Sequence, residues 1–413
     1  MRSAGEDDVV SALRGSRAVI APGCGTPGTI LRLIAARADE LPHTALCSGL
    51  LLGDYPFLDA VDAGLLTYST WHVMPAVREL VAAGTVPFHP VRASQVPWLL
   101  GEMGVDVALV RVSPPDRHGF CSLGPSVSYP RGAIRRSRLV IAEIDPSVPR
   151  TRGESEVHAD EIDMAIESTV PMFEYRRAQP DDVSRAIAAT LVDLLPQRPT
   201  VQIGIGSIPE AFVDLLVERR VEDLRFAGMA VDGMADVFDA GLLDVSTNVP
   251  WPAVMAAELM GSRRLMDFAD DNAAVGVYST ELALTASTLG TIDRFVSINS
   301  ALQVDQSGQV AADNIAGRQI SGIGGGVDFA EAALHSRGGM RVVALPAADA
   351  RRNVSKIVEG FDPSTPISVP RHSIDWVVTE FGAARVGPLS VRDRVAALSS
   401  ISHPARPTAG STP

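Results

Sequence analysis

Two α/β domains of related build, each around a largely parallel sheet and with the active site expected between them, are what this 413-residue sequence predicts. Three observations carry the prediction. First, the halves echo each other: Ser16–Arg37 reads as an apolar strand, a G-x-G-T turn and an amphipathic helix, and Arg198–Arg219 repeats that order with G-x-G-S. Second, further apolar runs of strand length follow in both halves. They are Val105–Val112 and Ser137–Pro149 in the first, then Phe295–Asp305, Met340–Ala347 and Ser373–Gly382 in the second. Third, these runs alternate with helical stretches such as Ala186–Leu195, the order that builds parallel sheets covered by helices.

A polar, proline-containing stretch at Arg176–Val183 is the natural join, giving domains over 1–180 and 181–404. The Pro-, Gly-, Ser- and Thr-rich residues 405–413 read as a disordered tail. Hydrophobic content of 46% with 21% charged residues is enough to build a sizeable core. A formal charge of −13 opposes nucleic-acid binding, which rests on neutralising phosphates with a basic surface. No apolar run approaches the roughly 18 residues a membrane-spanning helix needs. The acidic start MRSAGEDDVV lacks the charged-then-apolar order of a secretory signal, and three cysteines make no disulfide framework. The expected location is cytoplasmic.

The richest segment for chemistry is Ser297–Phe329. A β-branched strand and a turn lead to a second strand near Gln309–Val310, then to glycines at 322, 324, 325 and 326 just before an expected helix start at Val327. A backbone stripped of side chains there leaves N–H groups free to face an oxyanion, a phosphate or a thioester carbonyl. Several other chemistries are unsupported. The eight histidines show no metal-ligand spacing, no G-x-S-x-G elbow or G-x₄-G-K-[ST] loop occurs, and the G-x-G turns lack a third glycine and downstream acid. Neither a metal nor NAD is expected. Cys24, at the start of a helix, is a weak nucleophile candidate that reads more readily as a small filler.

Ile298–Ala301, Val304–Asp305, Gly308–Val310 and Gly322–Phe329 resemble the acetyl-CoA hydrolase/transferase family, whose members move coenzyme A between carboxylic acids. Ser113–Gly124, Pro149–Ser155, Val201–Ala211, Ala344–Pro346 and Val377–Ala384 extend the resemblance over roughly Gly23–Pro404. It implies a CoA-transferase-like fold, acyl-CoA and a small acid or other acceptor as partners, and a homodimer or other homo-oligomer. It also implies a glutamate nucleophile a few residues before an Asp-Gly pair. Here the segment reads RFAGMAVDGMADVFDAG, and matching Asp232–Gly233 to that pair places Gly228 where the glutamate belongs. Glycine forms no glutamyl-CoA thioester.

Asp232 and Glu380 are the carboxylates that could substitute, the latter in VVTEFG after a buried strand. The glycine loop Gly322, Gly324, Gly325 and Gly326 is the candidate CoA and oxyanion contact. Asn299, Gln303 and Arg371 are candidates for the substrate. Gln303 stands where the pattern usually has glutamate, and Tyr278–Leu282 also departs from it, which leaves the acyl group open. Three readings follow: hydrolysis or direct acyl transfer without a glutamyl-CoA intermediate; true CoA transfer using another carboxylate; or a non-catalytic CoA-binding subunit.

Overall fold

The structure, a computed structural model, describes residues 1–53, 55–247, 249–349 and 354–403; the expected tail at 405–413 lies outside them. The chain forms two compact units. One comprises 1–176, 228–232 and 247–284, and the other 177–227, 233–246 and the chain from 285 onward.

The first unit is built on a seven-stranded parallel sheet. Its order is Arg2–Ser3, Met164–Glu167, Leu139–Ile144, Val107–Val112, Arg17–Ile20, Ala45–Ser48 and Thr67–Thr70. Strands Val107–Val112 and Leu139–Ile144 are buried at all six positions, as central strands of a parallel sheet covered on both faces must be. Helices such as Gly28–Ala36 press Ile30, Leu31 and Ile34 onto it, joining Ile20, Leu46, Phe57 and Tyr68 in one core.

Two charges interrupt the apolar strands. Arg111 and Glu143 are register partners, and Arg111 Nη2 lies 3.3 Å from Glu143 Oε1 and 2.7 Å from Asp145 Oδ2. Arg111 also donates to the Thr26 carbonyl and Ser168 Oγ, while Glu143 accepts from the Thr29 backbone N–H. Such a network is tolerable in a core because each member is paired and hydrogen-bonded. A second set of parallel strands in this unit runs Val254–Leu259, Val275–Val277 and Arg152–Gly153.

The second unit carries parallel strands in the order Trp376–Thr379, Met340–Ala344, Phe295–Ser300, Thr200–Ile203, with Gly382–Arg385 added antiparallel at the near edge as a hairpin. Helix Asp182–Leu194 begins four residues before the sequence expectation because Asp181 caps it, its carboxylate accepting from the Ser184 N–H at 2.8 Å. Helices Ser207–Glu218 and Gly326–His335 each follow a glycine turn, as the echoed sequence predicts. The α/β expectation with largely parallel sheets therefore holds. No helix among the described residues is long and apolar enough to cross a membrane.

Candidate functional site

In the second unit the glycine loop is built as expected, with one shift: the helix starts at Gly326 rather than Val327. Gly324 has φ +61°, a conformation that favours glycine, and a Cβ there would meet nothing within 4 Å. A Cβ on Gly325 would instead strike the Phe329 ring at 2.6 Å. Open space and bare backbone thus coincide at the start of a ten-residue helix, where N–H groups and dipole favour an anion.

Asn299 lies beneath this loop, 3.6 Å from where a Gly326 Cβ would stand. Its side-chain amide donates to Ser297 Oγ at 2.8 Å and to Gln202 Oε1 at 3.2 Å, which holds it rigid. Gln202 stands at the end of strand Thr200–Ile203, next to Gly204, where a Cβ would also find open space. Loop, Asn299 and Gln202 therefore gather at the carboxyl end of neighbouring parallel strands, the customary place for ligands in such sheets.

The other second-unit candidates sit in more structural settings. Glu380 Oε2 accepts from the Ala347 N–H at 2.8 Å and so ties the loop after Met340–Ala344 to the hairpin turn. Gln303 pairs with Ala311 in a small sheet. Arg371 is exposed; its backbone N–H donates to Gln309 Oε1 and its carbonyl accepts from Arg394.

In the first unit, Gly228 is buried in strand Arg225–Ala230 with φ +95°, a backbone state that side chains disfavour. Asp232 has both carboxylate oxygens on the Ser262 N–H, at 3.0 and 3.1 Å, and Oδ1 also accepts from Ser262 Oγ. Ser262 in turn caps helix Arg263–Ala269. Asp232 thus anchors a loop and a helix start. Cys24 is fully buried; burial pushes its thiol up to about 11, with Glu258 and Asp232 adding to the rise, so the helix start does not yield a thiolate here.

Sequence reasoning missed Glu258. It closes the apolar strand Val254–Leu259, next to the strand that carries Gly228. The Met260 N–H donates to the Ala230 carbonyl at 2.8 Å, and Gly228 and Glu258 each stand two residues before that bond. A helical crossover joins the two strands, which makes them parallel, and Glu258 itself stands opposite Ser126.

Ser128 Oγ donates to Glu258 Oε1. Oε2 is shielded from solvent and has no hydrogen-bond partner, although the residue as a whole is partly accessible. Ser126 also faces the carboxylate, but its proton goes to the Pro22 carbonyl at 2.8 Å, and its oxygen accepts from the Gly25 N–H at 3.1 Å. Gly23, at φ +56°, lies against Oε2 and Met260: a Cβ there would stand 3.5 Å from Oε2 and 2.9 Å from Met260 Sδ. Burial pushes the Glu258 carboxyl up to about 8, against the lowering effect of the Ser128 and Ser126 hydroxyls and the Ser128 backbone N–H. A lone acid ending an otherwise apolar run, VMAAEL, was the signal available in the sequence. Among the described residues no group of three or more His, Cys, Asp or Glu could hold a metal ion.

Comparison with known proteins places the chain. Residues 7–174 match the acetyl-CoA hydrolase/transferase N-terminal domain, and residues 261–408 match the C-terminal domain of the same name. The chain is 32% identical to 4-hydroxybutyrate coenzyme A transferase of Clostridium kluyveri over 94% of this chain and 91% of the relative. It is 23% identical to acetyl-CoA hydrolase of Neurospora crassa, covering 70% and 61% of the two chains. The crystal structure of RipA from Yersinia pestis superposes with a TM-score of 0.89 at 26% identity, covering 97% of this chain and 93% of that one. This chain belongs to the acetyl-CoA hydrolase/transferase family.

Proposed function

We propose that the protein processes acyl-CoA thioesters by direct attack of water, or of an acceptor molecule, on the acyl carbonyl, without a glutamyl-CoA intermediate. The observation that carries this reading is Gly228: a buried glycine at φ +95° occupies the position that the family resemblance gives to the nucleophile. No side chain is available there to form a covalent bond. The glycine loop 322–326 is the proposed holder of the thioester oxygen or of CoA phosphate, with Asn299 as its support. A second reading, true CoA transfer through a relocated carboxylate, is favoured by the 32% identity to a relative named as a CoA-transferase.

Thiol release separates the two. The protein is incubated with acetyl-CoA and longer acyl-CoAs, with and without carboxylate acceptors. Release without an acceptor supports direct hydrolysis, and acceptor-dependent exchange without net release supports transfer. Binding of CoA with neither reaction would overturn both and leave a non-catalytic CoA-binding subunit.

A further inference from the structure

We propose that Glu258 is the catalytic carboxylate of this chain and acts as the general base that activates the attacking water. The inference rests on the direct-attack reading above and names the group that serves it. Glu258 stands on the strand adjoining that of Gly228, near the carboxyl ends of both, so the acid absent from one strand is present on its neighbour.

The bonding is one-sided. Ser128 holds Oε1 and fixes the carboxylate's orientation, while Oε2 is left without a donor beside the bare backbone of Gly23. A buried carboxylate kept for structure finds cations or backbone N–H groups, as Glu143 and Asp232 do in this same unit. Glu258 has neither. Its raised proton affinity is a further support, since a base is most effective when it titrates near the working pH.

The step balances as follows. Glu258 Oε2 takes one proton from water as the water oxygen bonds to the acyl carbonyl carbon. The tetrahedral intermediate then collapses with cleavage of the C–S bond. The CoA thiolate leaves and recovers the proton from Glu258, so a free acid and CoA are released and the carboxylate is regenerated.

The test uses the full chain, with acetyl-CoA and butyryl-CoA as probes. Glu258→Gln is expected to lower kcat by about 10²–10⁴-fold with KM little changed, and Glu258→Asp to retain part of the rate. The wild-type rate should rise with pH through the region near 8, and the residual rate of Glu258→Gln should be flat. A single turnover in ¹⁸O-water should label only the released acid. Rates of Glu258→Gln within about threefold of wild type overturn the assignment, and so does ¹⁸O or a covalent adduct on Glu258, which would make it a nucleophile. If Glu258→Gln fails to fold, the labelling experiment on the wild-type protein still decides. A wild-type protein with no turnover of any acyl-CoA defeats the direct-attack reading and this inference together; turnover that survives in Glu258→Gln defeats this inference alone.

Discussion

Gly228→Glu returns to the chain the acid that the family resemblance expects, and its consequences can be worked from the backbone. At φ +95° any side chain brings strain of about 1–3 kcal/mol. A glutamate also brings a carboxylate into a buried position, where burial disfavours the ionised form. Its pKa is therefore raised, and the cost of ionising it is felt as pH rises.

Gly228→Gln has the strain without the charge and is the control. Both variants should melt below wild type, by about 2–4 °C per kcal/mol for a unit of this size. They should match at mildly acidic pH, and Gly228→Glu should fall further below its control as pH rises. Transfer of CoA from butyryl-CoA to acetate should appear or increase in Gly228→Glu alone. Two folded variants that melt together at every pH would refute burial of the introduced carboxylate. Unchanged CoA transfer in a folded Gly228→Glu would refute the alignment of Gly228 with the nucleophile.

Three further expectations follow from the same geometry. Glu258 has its folded-state pKa raised above the unfolded value, so the folded state holds the proton more tightly and stability falls as pH rises from about 4.5 towards 8; Glu258→Gln should therefore raise the melting temperature more at about pH 9 than at about pH 5.5. Arg111→Met leaves Glu143 and Asp145 without their cation and should cost about 3–5 kcal/mol in urea unfolding, part of which Glu143→Gln should restore in the double variant. Gly324→Ala adds a methyl to open space at φ +61°, so it should lower stability by only about 1 kcal/mol. If its backbone holds the thioester oxygen, kcat should fall by about 10²–10³-fold.

How much of this was legible in the sequence depended on whether the signal was periodic or spatial. The paired strand–glycine–helix units announced themselves because an apolar run of strand length, a glycine turn and a 3.6-residue period are local patterns, and both were found. The glycine loop was legible for the same reason, and the structure adds what spacing could not: Asn299 lies beneath it, oriented by Gln202 from a strand nearly 100 residues earlier. Asp232 and Glu380 were visible as acids in suggestive places, but only tertiary bonding shows that each anchors a loop. Glu258 was overlooked because its significance lies in its neighbours. Nothing local to VMAAELMG reveals that the strand beside it carries Gly228, or that Ser126 has committed its proton elsewhere.

Two violations of ordinary local rules therefore fall side by side. A strand residue at φ +95° is unfavourable for all but glycine, and a shielded carboxylate oxygen without a donor costs free energy that a glutamine or methionine of similar size would reduce. Elsewhere in the same unit the chain handles buried charge differently: Arg111, Glu143 and Asp145 satisfy one another, and Asp232 takes two donors from Ser262. The sequence thus encodes full satisfaction where polar groups serve the fold. The exception at Glu258 concentrates strain and an unmet acceptor at the carboxyl ends of adjoining strands, where parallel sheets place their chemistry. If Glu258 were only a packing residue, Glu258→Gln would gain stability and lose nothing in turnover; a gain in stability with a loss in turnover is the signature of an acid kept at the expense of the fold.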